Sequence, residues 1–239
     1  TGRFVTDGLD AEGIKTKFVA VDQDTRINVK IKADQETEIN GTGPVINDYQ
    51  LAELEAILSS VSADDVVVFA GSAPSNLGNK VYNKLIPLVR ETGAQVVCDF
   101  EGQTLLDSLA YQPLLVKPNN HELGEMFGIV CKTDEDIVHY AKKLQEKGAV
   151  NVLISMAGDG AILITEDGQN IKMGTPKGKV VNSVGAGDSM VAGFITGYIR
   201  GGNYEEALKS GTAAGSATAF SEGLASLEMY EKMLKQITE

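Results

Sequence analysis

The feature that most limits the fold of this sequence is an alternation of short apolar runs with amphipathic segments. Apolar runs of this length are typical of strands that are buried on both faces of a sheet. The runs are Val66–Ala70, Gln95–Asp99, 114–117 and Asn151–Ser155. The segments 81–89 and 137–144 repeat apolar residues at helical spacing. Strands and helices that alternate through short connections predict an α/β fold with a mainly parallel sheet flanked by helices.

Other segments fall outside this alternation. Residues 26–40 alternate apolar and polar side chains, which predicts a β-hairpin with one buried face, one solvated face and a turn at 33–35. Residues 161–165 and 171–173 predict a second hairpin that closes the sheet. Residues 204–220 predict a helix whose small side chains allow close approach of another helix or of a flat ligand, and composition favours close helix packing.

The sequence contains no linker, repeat or low-complexity tract, so we expect one domain over residues 1–239. Residues 24–41 are expected to form a lid hairpin within that domain. Residues 1–4 lack a recognisable start of a helix or strand. The sequence shows no secretory signal or membrane span, and the expected compartment is the cytoplasm.

The charge balance excludes some classes of partner. The 239 residues carry a formal net charge of -12 and a sequence pI of about 4.7, which disfavours nonspecific binding of nucleic acid or anionic membranes. Cys98 and Cys131 have no metal-ligand spacing and give no disulfide framework. Binding of a phosphate ester would require local positive or hydrogen-bond-donating groups, because the net negative charge of the protein repels the phosphate.

Ligands of parallel sheets bind at the carboxyl ends of the strands, so polar residues just past each strand are candidates for a site. They are Gly71 and Ser72, Asp99, Lys117 with Asn119, and Ser155. Asn119 and Glu122 have the spacing of a capping box at the start of a helix. The same carboxylate at this edge suits a hydrated Mg²⁺ beside a triphosphate, and the residues alone leave both interpretations open.

The segment 182–189, Asn-Ser-Val-Gly-Ala-Gly-Asp-Ser, places a glycine-rich turn before an apolar helix. Gly185 and Gly187 let backbone N–H groups converge, and the helix start adds partial positive charge. This arrangement suits an anion hole with Asp188 as a base for phosphoryl transfer. The alternative is a simple turn in which Asp188 caps the helix.

Two weaker candidates have strong structural alternatives. Residues 155–160 follow a strand and suit either backbone contact with a nucleotide or a tight turn, which is favoured in isolation. Arg26 and Asn28 read as an exposed strand face or as a phosphate clamp. The sequence has no P-loop, and Met190 replaces the third glycine of a dinucleotide fingerprint.

Taken together, these motifs resemble those of ribokinase-like (PfkB-type) carbohydrate kinases. Residues 182–194 resemble the second signature of the family, and Lys117-Pro118-Asn119 with Glu122 matches its Asn-x-x-Glu motif. The segments 24–30 and 38–41 are most similar to bacterial members that phosphorylate fructose 1-phosphate. The resemblance implies a ribokinase-like fold with a partial β lid.

The family resemblance implies a role for each candidate residue, with ATP and Mg²⁺ as cofactors. Asp188 is the expected catalytic base. The expected anion hole is Gly185, Ala186 and Gly187. The expected ATP contacts are Lys117, Asn119, Ser155, Ala157, Gly158, Gly160, Gly187 and Gly215. The expected substrate contacts are Arg26, Asn28, Ser72 and Asp188, and the expected metal-organising residues are Glu122 and Asn119.

The implied reaction is phosphorylation of fructose 1-phosphate at its 6-hydroxyl to give fructose 1,6-bisphosphate. A tagatose-6-phosphate kinase or another sugar-phosphate kinase is the alternative within the family, and a noncatalytic nucleotide or sugar-phosphate binding module is the alternative from another class. The resemblance also implies a homodimer formed through the lid.

The sequence departs from the family at its start. The family has an Asn-Pro-x-x-Asp element and a Gly-Gly-Lys-Gly-x-Asn motif in an N-terminal segment, and neither motif is found here. We therefore expect this sequence to be either an incomplete record of a longer protein or a truncated form. A truncated form would lack much of the substrate site.

Overall fold

The computed structural model describes residues 2–32, 36–201 and 203–238. The chain divides into two compact units. One unit contains residues 1–65 and 72–94, and the other contains residues 66–71 and 95–239. The expectation of one domain over the whole chain stays a prediction.

The second unit is built on a six-stranded sheet in the order β3-β4-β5-β6-β7-β8. Its strands are β3 (Val66–Ala70), β4 (Gln95–Asp99), β5 (Leu115–Val116), β6 (Asn151–Ser155), β7 (Ala161–Ile164) and β8 (Asn170–Met173). The first four strands are parallel, and the last two add an antiparallel hairpin. The mainly parallel sheet and its closing hairpin are therefore confirmed.

Six α-helices are described in this second unit. They are α4 (Gly102–Ser108), α5 (Asn120–Phe127), α6 (Asp134–Glu146), α7 (Ala186–Gly201), α8 (Tyr204–Ala219) and α9 (Leu227–Thr238). Leu153 and Leu163 of the sheet share a buried cluster with Phe194 of α7 and Leu208 of α8. Burial of each such side chain contributes about 1.5–3 kcal/mol. The apolar faces of α7 and α8 therefore hold these helices on the sheet.

Glycines let α7 and α8 approach each other closely. A Cβ on Gly193 would stand 2.6 Å from the Ser210 carbonyl oxygen, and one on Gly211 would stand 2.8 Å from the Met190 carbonyl oxygen. Side chains at these points would separate the two helix backbones. The close helix packing predicted for 204–220 is confirmed.

The first unit contains α1 (Gly2–Ala11), β1 (Asn28–Lys32), β2 (Glu36–Asn40), α2 (Asp48–Leu58) and α3 (Tyr82–Glu91). Strands β1 and β2 form the predicted hairpin, in which Val29 lies opposite Ile39. Gly41 follows β2 at a position where a Cβ would stand 2.5 Å from the Ile27 carbonyl oxygen. The predicted turn at 33–35 lies outside the described residues.

The first unit adds two observations to these expectations. Within the single chain the apolar face of the hairpin is exposed, with Ile27, Val29, Ile31 and Ile39 at 47–58%. Residues 1–4 gave no recognisable start of an element, yet α1 begins at Gly2, and none of its residues is buried. Across the residues described, no helix is long and apolar enough to cross a membrane.

Candidate active site at the carboxyl edge of the second unit's sheet

The glycine-rich turn leads directly into α7. Gly185 has φ +77°, a conformation that L side chains rarely adopt, and Ala186 is the first helical residue. Asp188 is the third residue of the helix and is exposed. In the described part of the chain, its carboxylate accepts no hydrogen bond. Asp188 therefore does not act as the N-cap, which was the structural alternative to a base.

Some backbone N–H groups at the start of α7 donate hydrogen bonds within the protein, and others have no acceptor there. The Ala186 N–H donates to the Ser183 carbonyl oxygen over 3.2 Å, and the Ser189 N–H donates to the Gly185 carbonyl oxygen over 2.9 Å. Within residues 36–201 and the other described ranges, the N–H groups of Gly185, Gly187 and Asp188 have no acceptor. The first turn of a helix leaves such donors open. Of the expected anion hole, Gly185 and Gly187 thus have open N–H groups, the Ala186 N–H is used within the turn, and Asp188 offers a further open N–H group. The role of these residues as an anion hole stays a prediction.

The turn is anchored to α8 and to the loop that follows α8. The Asn182 side-chain amide donates to the Glu222 carbonyl oxygen over 3.0 Å. The Ser189 and Thr218 hydroxyl groups lie 2.8 Å apart. A Cβ on Gly215 would stand 3.0 Å from the Ala186 carbonyl oxygen. Gly215, an expected ATP contact, is thus a packing glycine that brings α8 against the start of α7.

The ammonium group of Lys117 is buried near the start of α7. Lys117 follows β5, is 7% exposed, and its Nζ lies 3.3 Å from Asp99 Oδ1 at the end of β4. A Cβ on Gly187 would stand 3.2 Å from this Nζ, so the ammonium group lies against the first turn of α7. The structure therefore brings the ends of two strands and the start of the helix together.

Electrostatic coupling links the acidic residues of this edge. Burial raises the pKa of the Asp99 carboxyl group above its usual value, the Lys117 ammonium group opposes the rise, and the Asp188 carboxylate adds to it. Asp188 is therefore within electrostatic range of Asp99. Asp99 was noted in the sequence only as a polar residue past a strand. The ion pair between Asp99 and Lys117 could not be predicted from the sequence, because the two residues lie at the ends of separate strands.

Asn119 and Glu122 form the predicted capping box of α5. The Asn119 Oδ1 accepts from the N–H groups of His121 and Glu122 over 2.8 and 2.9 Å, and Glu122 Oε2 accepts from the Asn119 N–H over 2.8 Å. Burial raises the pKa of Glu122, and its backbone hydrogen bond from Asn119 opposes the rise. The structural interpretation is confirmed, while one oxygen of Glu122 stays without a hydrogen bond among the described residues.

Residues 155–160 form a tight connection between β6 and β7. Ser155 forms a bridge with Asn119, which places the loop beside the capping box. Gly160 has φ +92°, and a Cβ there would overlap the Met173 carbonyl oxygen. Ala157 has a positive φ of 48°, and the space around Gly158 is open to 4 Å. The turn interpretation holds for Gly160. The carbonyl oxygens of Ala157 and Gly158 accept hydrogen bonds from the Gly160 N–H and the Thr175 hydroxyl, so within the described residues only the N–H groups of Ala157 and Gly158 are open to a ligand.

The expected substrate residues Arg26, Asn28 and Ser72 all lie in the first unit. Arg26 Nη1 donates to Ser72 Oγ over 3.0 Å, although the two residues are 46 positions apart. Asn28 begins β1 and lies opposite Asn40 of β2. The structure thus joins Arg26 and Ser72 through a hydrogen bond.

Comparisons with known proteins agree with the motifs and the fold. The model of the pfkB family carbohydrate kinases matches residues 1–229. A 1-phosphofructokinase of Bacillus subtilis is 46% identical over 99% of this chain and 78% of its own length. A D-tagatose-1-phosphate kinase of Bacillus licheniformis is 36% identical over 99% of this chain and 78% of its own length.

The fold comparison is equally extensive. The crystal structure of phosphofructokinase-2 from Escherichia coli superimposes with a TM-score of 0.92 at 24% identity, over 100% of this chain and 79% of that chain. The predicted ribokinase-like α/β fold is thereby confirmed. From the family match, the identity to these relatives and the shared fold, it follows that the chain belongs to the pfkB family of carbohydrate kinases.

Proposed function

We propose that the protein transfers the γ-phosphoryl group of ATP to the 6-hydroxyl of fructose 1-phosphate and forms fructose 1,6-bisphosphate. The observation that carries this proposal is the start of α7, where the exposed Asp188 stands beside the open N–H groups of Gly185 and Gly187. The 46% identity to a 1-phosphofructokinase supports the choice of substrate. We propose a cytoplasmic location, where ATP and sugar phosphates are found.

Each group at the start of α7 has a chemical task in this proposal. Asp188 takes the proton of the sugar hydroxyl as the hydroxyl oxygen attacks the γ-phosphorus, and the proton stays on the carboxyl group. The bond from the γ-phosphorus to its bridging oxygen breaks, and ADP leaves with that electron pair. The N–H groups of Gly187 and Asp188 donate to the oxygens on which negative charge develops. Donors fixed by the helix start need no reorganisation at that moment, which lowers the barrier.

The charges around the site suit ATP that arrives with a divalent cation. Asp99, Glu101 and Glu122 are close enough for their charges to interact, with Lys117 as the opposing charge. This excess of carboxylates repels a bare triphosphate. Mg²⁺ usually takes one or two carboxylates together with water and phosphate oxygens.

The residues of α5 fit such a hydrated ion. We propose that the second oxygen of Glu122 would help to hold a hydrated Mg²⁺, while Asn119 keeps Glu122 in place, because the Asn119 Oδ1 already accepts two backbone hydrogen bonds. No group of three or more metal-ligating side chains occurs within the described ranges, which agrees with a metal that keeps most of its water. The ion would neutralise charge on the phosphates.

Nucleotide and sugar-phosphate contacts complete the proposal. We propose that the backbone around Ala157 and Gly158 contacts the nucleotide, since this loop has open space and follows Ser155. In the first unit, we propose that Arg26, with Ser72, binds the phosphate of the sugar through charge-assisted hydrogen bonds. Asn28 and Lys117 keep their expected roles as a sugar-phosphate contact and an ATP-phosphate neighbour.

A substrate panel tests the proposed reaction. We expect kcat/KM with fructose 1-phosphate to exceed the values with tagatose 6-phosphate and tagatose 1-phosphate by about tenfold or more, a typical discrimination between closely related substrates. Product formation is measured by a coupled assay for ADP, with an EDTA-containing reaction as the blank. Preference for a tagatose phosphate supports the family alternative. ATP binding without transfer to any sugar phosphate supports a noncatalytic binding module.

The exposed apolar face of the β1–β2 hairpin supports a homodimer through the lid. Ile27, Val29, Ile31 and Ile39 lie on that face and are 47–58% exposed. Two copies of one apolar patch, related by a twofold axis, bury each other. We therefore propose that a second copy of the chain covers this face.

Charge substitution on the hairpin tests this dimer. We expect the double variant Val29→Lys with Ile39→Lys to shift the protein from dimer to monomer, because opposed lysines repel across the twofold axis. The matched control is Val130→Lys, at an exposed valine outside the hairpin. Light scattering after gel filtration gives the mass. A hairpin variant with the wild-type mass would show that another surface joins the copies.

A further inference from the structure

Lys117 has an unusual place for a lysine. It is 7% exposed, and its Nζ would lie 3.2 Å from a Cβ on Gly187, in the first turn of α7. The start of a helix carries partial positive charge, which repels an ammonium group. A lysine stem also has several rotatable bonds and prefers to carry its charge into water. Some other group must therefore hold Lys117 at this point.

Asp99 is the group that offsets this repulsion. Its Oδ1 lies 3.3 Å from the Lys117 Nζ, and its side chain is 16% exposed. Within the part of the chain that the structure describes, Asp99 is the one carboxylate within 4.0 Å of this ammonium group. Removing one partner of a buried pair leaves an uncompensated charge, which is strongly unfavourable. Without Asp99, Lys117 is expected to leave the start of α7.

We propose that Asp99 is a positioning residue that fixes the Lys117 ammonium group at the start of α7 before ATP binds. The positive charge then stands against Gly187 in the first turn of α7, where the proposed transfer takes place. This inference rests on the proposed function of the site. Asp99 itself touches no reacting atom and acts through Lys117. Charge that is in place beforehand stabilises the transition state without reorganisation.

A double-mutant cycle tests this dependence. We expect Asp99→Asn to lower kcat roughly tenfold or more with the KM for the sugar phosphate nearly unchanged, because the lost interaction belongs to the transition state. Asp99→Glu keeps the carboxylate and recovers part of that loss. The double variant Asp99→Asn with Lys117→Met is expected to lose far less kcat than the product of the two single losses, because Asp99 acts mainly through Lys117 and only its charge effect on Asp188 remains.

The matched control is Asp107→Asn. Asp107 is an exposed carboxylate of α4 and makes no ion pair with Lys117 among the described residues. We expect it to keep the wild-type kcat. The proposal is overturned if the losses of the two single variants multiply in the double variant. It is also overturned if Asp99→Asn keeps the wild-type kcat.

A second measurement does not depend on activity. Acetylation by an amine-reactive reagent, followed by peptide mass spectrometry, reports how accessible Lys117 is. We expect Lys117 to be protected in the wild-type protein and to react roughly tenfold faster in Asp99→Asn, as local opening increases. Lys84, whose side chain is 59% exposed, should react at one rate in both proteins. If Lys117 is acetylated at the same rate in the wild-type protein and in Asp99→Asn, the positioning role is overturned. If Lys117 is protected in the wild-type protein but that protein has no kinase activity, the proposed function alone is overturned.

Discussion

Replacing Asp188 with asparagine is expected to lower kcat about 100- to 10,000-fold, because an amide does not accept the proton of the attacking hydroxyl. The KM for ATP should change little, since the N–H groups of Gly187 and Asp188 stay in place. Thermal stability should not fall by much. The Asp188 carboxylate accepts no hydrogen bond within the described ranges, and it adds unfavourable charge beside Asp99. Steady-state kinetics and thermal unfolding measure both effects.

Asp48→Asn is the matched control for this variant. Asp48 and Asp188 are both exposed and both lie in the first turn of a helix, so both substitutions remove a similar interaction with the helix dipole. That interaction is worth about 0.3–1 kcal/mol. Asp48→Asn should keep full turnover. If Asp188→Asn also keeps it, Asp188 only stabilises its helix and the assignment of the base is wrong.

Gly193→Ala is expected to destabilise the second unit by about 1–3 kcal/mol, since overpacking a close contact has that effect. The new Cβ would stand 2.6 Å from the Ser210 carbonyl oxygen and 2.7 Å from the Ala214 Cβ. Backbone atoms cannot move aside as a flexible side chain does, so α8 must shift. The midpoint of urea unfolding measures the change in the free energy of unfolding.

The control for this variant is Gly8→Ala in α1. Gly8 is also helical, but no atom lies within 4 Å of a Cβ built there. The substitution should therefore stabilise the helix by up to about 1 kcal/mol through propensity alone. If the Gly193→Ala protein unfolds at the same urea concentration as the wild-type protein, the helices α7 and α8 accommodate the added methyl group without a loss of stability.

The parts of the site that follow from local sequence could be predicted. Hydrophobic periodicity depends on neighbouring residues, and it located the strand ends that carry Asp99 and Lys117. The spacing of Asn119 and Glu122 specified a capping box, and the structure contains it. The glycine-rich turn before an apolar helix placed Asp188 in the first turn of α7.

The parts that depend on distant contacts could not be predicted. The approach of Lys117 to Gly187 joins a strand end to a helix that begins much later in the chain, and no local pattern records it. The use of the Ala186 N–H depends on the turn geometry at Ser183. Alternation in β1 shows that one face of the hairpin is apolar, but it does not show what covers that face.

The close contact between α7 and α8 has a consequence for how the reaction can proceed. Glycines at 193, 211 and 215 bring the two backbones together, and the hydroxyl groups of Ser189 and Thr218 connect them near Asp188. A packed seam of this kind resists sliding, because any displacement creates voids or overlaps. Asp188, the proposed base, is consequently held in a fixed position relative to both helices. Alignment of the two reactants must come from the reactants themselves and from segments outside this seam.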